Sequence, residues 1–452
     1  MIFKESLYGR IPDEWDIIPL KDLCHKPSGV QTGPFGSQLH QRDYVEQGTP
    51  ILTVEHLNNN RITHENLPRV SIADQKRLAR YTLKTGDIVF SRVGSVDRRS
   101  LVRKDEEGWL FSGRCLRVRP NIQKIDPGYL SWFFGLPNFQ EYIRRIAVGA
   151  TMPSLNTDLL GNVEVIVPPL PEQRAIASIL GALDDKIELN RQMNRTLEAI
   201  AQALFKSWFV DFDPVWAKKE GRQPFGMDAD TVALFPADFE ESELGLIPVG
   251  WTIQSLDQIA NFLNGLPLQK YPCRSRNCLP IIKISQLKRG TTQDSDFASA
   301  DIPADYVIHD GDLLFSWSAT LEVRIWVGGD GALNQHLFKV TSETYPQWFY
   351  YYWLLQYLPA FREIAADKAT TMGHIQRYHL TDAQVVIPPP EILRYGTTHI
   401  SPLIQKLIAN EQESRILAEL RDTLLPKLLS GELRVPVETE DEFLQEVPIH
   451  DA

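Results

Sequence analysis

The chain carries most of its own framework twice. Glu5-Ser6 and Ile11-Pro12-Asp13-Glu14-Trp15, followed by Ile17 and Leu20, recur at an offset of 236 as Glu241-Ser242 and Ile247-Pro248-Val249-Gly250-Trp251, followed by Ile253 and Leu256; Gly9 likewise matches Gly245. Thr85-Gly86-Asp87-Ile88-Val89-Phe90-Ser91 returns at an offset of 225 as Asp310-Gly311-Asp312-Leu313-Leu314-Phe315-Ser316, each a Gly-Asp turn feeding an apolar strand. Thr151-Met152 and Val165-Ile166-Val167-Pro168-Pro169 return at an offset of 220 as Thr371-Met372 and Val385-Val386-Ile387-Pro388-Pro389. The falling offset makes the second copy about sixteen residues shorter, a loss that loops tolerate. A chain of 452 residues repeated in this way predicts two like globules rather than one large core.

A helical pattern follows each Pro-Pro. In the first, Ile176, Leu180, Leu183, Ile187, Leu197, Ala201, Leu204 and Trp208 fall on alternating four- and three-residue steps, the seam of a coiled coil. In the second, Ile400, Leu403, Leu407, Leu417, Leu424 and Leu428 form its image. Asn190 and Asn194 sit on the first seam, and Asn410 and Ser414 occupy the matching places on the second. Polar residues at seam positions specify register, so these four are candidates for fixing how two helices pair. The expected fold is α/β (α+β): two mixed globules in tandem repeat, related as a pseudo-twofold pair, with the long helices between them. The boundaries expected are 1–169 for the first globule, 170–210 for the first helix, 211–245 for an acidic linker, 246–389 for the second globule, 390–433 for the second helix and 434–452 for an acidic tail. Tyr129-Leu130-Ser131-Trp132-Phe133-Phe134 and Trp348-Phe349-Tyr350-Tyr351-Tyr352-Trp353-Leu354-Leu355 are apolar enough to be core helices.

A net charge of −11 argues against a nucleic-acid binder until it is mapped. Residues 209–245 hold 9 acidic and 3 basic residues and 436–452 hold 6 acidic and none basic, so nearly all the excess lies in two segments. Residues 61–120 carry 14 Lys and Arg against 7 acids, and 270–289 carry 6 with no acid. Both copies therefore bear a basic patch. Four cysteines, of which only Cys273 and Cys278 lie close together, are expected to be reduced thiols without a metal. Without an apolar N-terminal segment or a run long enough to span a bilayer, the expected location is cytoplasmic, with no membrane partner.

Catalytic signatures are missing. There is no Gly-Lys dipeptide and so no Walker loop, and Asp213-Pro214-Val215-Trp216 is the nearest approach to an adenine methyltransferase motif but has one proline too few. Asp184-Asp185-Lys186 imitates a nuclease motif, yet within a heptad helix it reads as a solvated face. The rival classes are a stand-alone DNA-modifying enzyme, which lacks a catalytic constellation, and a coiled-coil scaffold, which leaves two basic patches without a role.

The repeated Ile-Pro-x-x-Trp, the Gly-Asp strand, and Pro168-Pro169-Leu170-Pro171-Glu172-Gln173-Arg174-Ala175-Ile176-Ala177 opening a heptad helix resemble the specificity subunits of type I restriction-modification systems. So do the endings Leu204-Phe205-Lys206-Ser207-Trp208-Phe209 and Leu424-Leu425-Pro426-Lys427-Leu428-Leu429-Ser430-Gly431-Glu432-Leu433. The resemblance implies two target-recognition domains held apart by two antiparallel helices, each domain reading one half of a split site in double-stranded DNA. It further implies two modification (methyltransferase) subunits and restriction (motor and nuclease) subunits as partners. S-adenosylmethionine, ATP and Mg would then belong to those partners, with no cofactor on this chain. One departure is visible: the second helix opens Pro390-Glu391-Ile392-Leu393-Arg394-Tyr395 in place of the Leu-Pro-Glu-Gln-Arg run, which argues against equal packing of the partner subunits at the two ends.

For DNA contact the candidates in the first copy are Arg92, Arg98, Arg99, Arg103 and Arg114 around the Gly-Asp strand, with Ser37 and Gln38 beside the loop Gly33-Pro34-Phe35-Gly36. In the second they are Lys270, Arg274, Arg276, Lys283, Lys288 and Arg289, with Gln286. Arg can grip guanine and Gln adenine, whereas Lys mostly holds phosphate. A wholly helical 172–208 would be about 55 Å long and would set the gap between half-sites, so that four residues inserted near Leu197 should change the preferred spacer.

Overall fold

The structure, a computed structural model, describes residues 2–274, 276–367 and 373–436. It divides into two compact units, one of residues 1–185 with 417–452 and one of residues 186–416. The matched Thr371-Met372 and residues 437–452 of the acidic tail lie outside the described residues.

In the first unit the Gly-Asp turn delivers Ile88–Ser91 into the middle of a sheet ordered Arg99–Leu101, Ile88–Ser91, Cys115–Val118, Val30–Thr32, antiparallel throughout. The strand Ile88–Ser91 is itself buried on both faces. Ile88 and Phe90 join the core formed with the helices Pro127–Phe133 and Pro137–Ile146, while Val89 joins a second core with Ile51, Leu52, Leu110 and Phe111. The two-residue alternation of a strand thus serves two apolar layers at once. A second sheet runs Leu110–Phe111, Thr49–Leu52, Arg69–Val70, Tyr44–Val45, its first pair parallel. Asp16–Pro19 pairs with Glu164–Val167, which closes the unit just before Pro168-Pro169.

The second unit repeats this plan. Asn261–Asn264, Leu337–Thr341, Leu313–Ser316 and Val323–Ile325 form its central sheet in the corresponding order, and Thr252–Ser255 pairs with Gln384–Ile387. The likeness reaches single hydrogen bonds. The Ser6 hydroxyl donates to the Gly9 carbonyl and the Ser242 hydroxyl to Gly245, both at 2.6 Å. The amides of Lys84 and His309 donate to Asp87 and Asp312, both at 2.8 Å.

The two long helices are Leu170–Phe205 and Pro390–Leu429. In the first unit Ile176 and Leu180 share a core with Leu425, Leu428 and Leu429. In the second the seam asparagines are paired. Asn190 is fully buried, and its amide reaches Glu413 at 2.9 Å and the Asn410 carbonyl at 3.3 Å and Ser414 at 3.3 Å. Asn410 donates to Asn194 at 2.8 Å, and Asn194 to the Leu407 carbonyl at 3.2 Å. Rising numbers on one helix meet falling numbers on the other, so here the pairing is antiparallel.

Three expectations are corrected. Residues 211–238 are folded rather than a free linker: Phe212, Val215, Met227 and Phe235 enter the core of the second unit, around helices Asp213–Lys219 and Ala229–Leu234. Apolar residues spaced among the acids had been outweighed by the charge. Asp184 is buried rather than solvated, its carboxylate meeting Arg61 at 2.7 Å, Arg421 at 3.3 Å and Arg103 at 3.5 Å. Cys273 and Cys278 are joined as a disulfide with Cα atoms 5.6 Å apart, whereas Cys24 and Cys115 are free and buried.

The two helix starts differ in their own contacts. Glu172 is buried and accepts from the Trp15 indole at 3.3 Å and from Arg434 at 2.5 and 3.0 Å. Ile392 stands at the matching place in the second unit, and the buried indole nitrogen of Trp251 has no hydrogen-bond partner.

Candidate nucleic-acid interface

In the first unit the chain leaves the central strand at Ser91 and enters Arg92, and three segments are tied together there by backbone. The Arg92 amide donates to Arg114 at 2.8 Å, the Leu155 amide to Arg92 at 2.9 Å, and the Gly94 amide to Pro153 at 2.9 Å. Gly33 lies so close to the turn after Phe111 that a Cβ would stand 2.2 Å from the Ser112 carbonyl, so only glycine fits. Phe35, two residues on, is 60% exposed. Arg92 donates to the Gly113 carbonyl at 3.1 Å, and its buried Nε has no partner. Arg98 and Arg114 are exposed. The carboxamide of Gln38 accepts from Tyr81 at 2.6 Å, and its carbonyl from Arg77 at 2.8 Å. Exposed Arg77 and Arg80 therefore join the same surface, with the Arg80 guanidinium 4.6 Å over the Tyr81 ring. Neither was a candidate, although both lie in the basic segment. Ser37 falls in the short helix Gly36–Gln38, and its side chain is outside the described residues.

Two first-copy candidates leave the set. Arg99 is buried and donates to the Ser131 carbonyl at 2.9 Å, and burial lowers its guanidinium to about 10. Arg103 donates to the Asn60 carbonyl at 3.2 Å and faces Asp184 and Asp185, with burial lowering it too. Strand Arg99–Leu101 lies against the helix Pro127–Phe133, which turns its first side chain inward.

In the second unit Gly265 repeats Gly33: a Cβ there would stand 2.2 Å from the Asn334 carbonyl. The loop that follows presents Lys270, Arg274 and Arg276, all exposed. The remaining candidates are more engaged. Lys283 pairs with Asp296, Arg289 with Asp294 at 3.3 Å, and Gln286 is buried, accepting from Ser285 at 2.8 Å. Lys288 stays exposed, with its carbonyl held by Arg324. Sequence reasoning missed what occupies the place of Arg92 and Arg114. The Trp317 amide donates to His336 at 3.4 Å and the Ile375 amide to Trp317 at 3.0 Å, the same two bonds on the same scaffold.

Among the described residues no group of three or more His, Cys, Asp or Glu side chains could hold a metal ion, and no helix is long and apolar enough to cross a membrane. What the arrangement offers is cationic and polar groups on rigid loop ends, suited to phosphate and base edges.

A sequence profile described as the type I restriction modification DNA specificity domain matches residues 12–199. The chain is 27% identical over 446 residues to the specificity subunit of the type I restriction enzyme MjaIX of Methanocaldococcus jannaschii, covering 96% of each. It is 26% identical to the specificity subunit of the HindI enzyme of Haemophilus influenzae, over 83% of this chain and 92% of that one. The crystal structure of the S subunit of a type I restriction-modification system from M. genitalium has the same fold, with a TM-score of 0.56 over 95% of this chain and 99% of that one, at 16% identity.

Proposed function

We propose that the chain is a specificity subunit of a type I restriction-modification system, which it resembles over nearly its whole length, and that it reads a two-part sequence in double-stranded DNA, one half through each unit. It directs methylation and cleavage by partner subunits and performs no covalent chemistry itself. The observation that carries this is the pair of like units whose equivalent loop ends bear different side chains, Arg92 and Arg114 against Trp317 and His336. One scaffold with two sets of contacting groups is what reading two different half-sites requires, because base contacts are local while phosphate contacts are indifferent to sequence.

The partners are two modification subunits, which hold S-adenosylmethionine, and restriction subunits, which hold ATP and Mg. The complex works in the cytoplasm. Mapping methylated adenines in the host genome with and without this chain tests the reading. Two short motifs at a fixed gap, lost together on deletion, are expected; methylation that persists unchanged refutes it.

A further inference from the structure

The two loop ends differ in a way that dictates different readouts. In the first unit the position after the strand is Arg92 and its backbone partner is Arg114. In the second the same positions hold Trp317 and His336, with Gln335 next to the latter. The indole of Trp317 is half-buried and pinned, its Nε1 donating to Asn264 at 2.9 Å and its ring centroid 5.8 Å from that of His336. His336 Nδ1 lies 3.1 Å from the Ser318 hydroxyl, and its Nε2 lies 3.3 Å from the Gln335 amide nitrogen. The Gln335 backbone donates to Leu266 at 3.0 Å, which fixes this ledge against the loop that carries Lys270, Arg274 and Arg276.

Resting on the reading of the chain as a DNA specificity subunit, we propose that Gln335 and Trp317 are the specificity-determining residues of the second unit and that they recognise an A·T base pair in the major groove. Uncharged Trp, Gln, Ser and Asn side chains can hydrogen-bond phosphate but cannot neutralise it, so a DNA-facing ledge made of them adds little to salt-dependent affinity, and its carboxamide and indole ring can read base edges. A carboxamide matches the N6 and N7 edge of adenine, and an apolar ring matches the thymine methyl group. The neighbouring Lys270, Arg274 and Arg276 supply the phosphate contacts that the ledge lacks. The first unit is built the other way: Arg92 and Arg114 suit the O6 and N7 edge of guanine, or a phosphate.

The test uses the full chain assembled with its modification subunits and selects bound sequences from a random duplex pool. Gln335→Ala is expected to relax one A·T position in one half-site by roughly tenfold, leaving the other half-site and the spacer unchanged. The slope of log affinity against log salt should stay as in the wild type, whereas Arg114→Ala should reduce it by about 1 if that residue holds phosphate. Replacing the thymine at the relaxed position by deoxyuridine should weaken binding by the wild type but not by Trp317→Leu. Should Trp317→Leu fail to fold, the Gln335→Ala profile decides alone, since Gln335 is not a core residue. Unchanged specificity in Gln335→Ala, relaxation of both half-sites, or a reduced salt slope overturns the proposal while the wild type still selects a bipartite motif. A wild-type complex that selects no bipartite motif overturns the underlying reading as well, so the two failures are distinguishable.

Discussion

Replacing Glu172 by alanine should destabilise the first unit although the residue lies outside the proposed DNA-facing loops. The carboxylate is buried, and it is the acceptor for the Trp15 indole N–H, which is itself wholly buried. Removing the acceptor strands that donor at a cost of about 1–2 kcal/mol, taken from the lower half of the usual range because the bond is long at 3.3 Å. The bidentate contact to Arg434 contributes at most about 1 kcal/mol, because that guanidinium is about a third exposed and solvent screens it. The sum is about 2–3 kcal/mol, or roughly 5–10 °C in the Tm of a unit this size. Urea unfolding of the intact chain measures it, and amide exchange over residues 428–436 assigns the loss to this end of the molecule. Trp15→Phe removes the donor that Glu172 serves, so the double variant should be less destabilised than the two singles combined by about 1 kcal/mol. A loss below about 0.5 kcal/mol, or strict additivity, would falsify the account.

Arg99→Gln should destabilise the first unit without changing the salt dependence of DNA binding, since its guanidinium donates to the Ser131 carbonyl inside the core; a reduced salt slope would return it to the interface. Asp184→Asn should cost about 3–5 kcal/mol by leaving the guanidiniums of Arg61, Arg103 and Arg421 without their shared counter-charge, and a thermal shift under 2 °C would refute that. Burial pushes the thiols of Cys24 and Cys115 from 9.0 up to about 12. Both should resist thiol reagents in the native chain at pH 8. Because the unfolded thiols ionise from about pH 9 while the folded ones stay neutral, stability should fall as pH rises from 9 toward 12, and flat stability across that window refutes the assignment. Replacing Asn190 and Asn410 together by leucine should raise the melting temperature of the second unit yet produce mixed association states by light scattering; a single unchanged state argues against a register role.

The duplication was legible because its markers are residues with one structural use. Trp15 and Trp251 are both buried, and the Gly-Asp turns both feed fully buried strands. Gly33 and Gly265 were not matched, since their equivalence rests on a close approach to another strand's carbonyl, and neighbouring residues share no identity. The same blindness hid Trp317 and His336, which are recognisable only through backbone bonds that tie them to the positions of Arg92 and Arg114. Charge misled in both directions. Arg99 and Arg103 counted toward a basic patch although one lies inside the core and the other answers Asp184, whereas acidic 211–238 concealed Phe212 and Phe235. The pairing of Asn190 with Asn410 followed from spacing alone, because heptad position determines which face a residue presents.

The first unit is assembled from two stretches of chain separated by the whole of the second, since Leu425, Leu428 and Leu429 complete a core begun by Tyr8, Trp15 and Ile176. During synthesis from the N-terminus, residues 1–185 emerge first but wait for more than two hundred further residues before that core can close. The second unit is continuous in sequence and can fold as soon as residue 416 is free. The part of the chain made first is therefore the part finished last, and until then Ile176 and Leu180 present an open apolar stripe for which a chaperone or a partner subunit would compete.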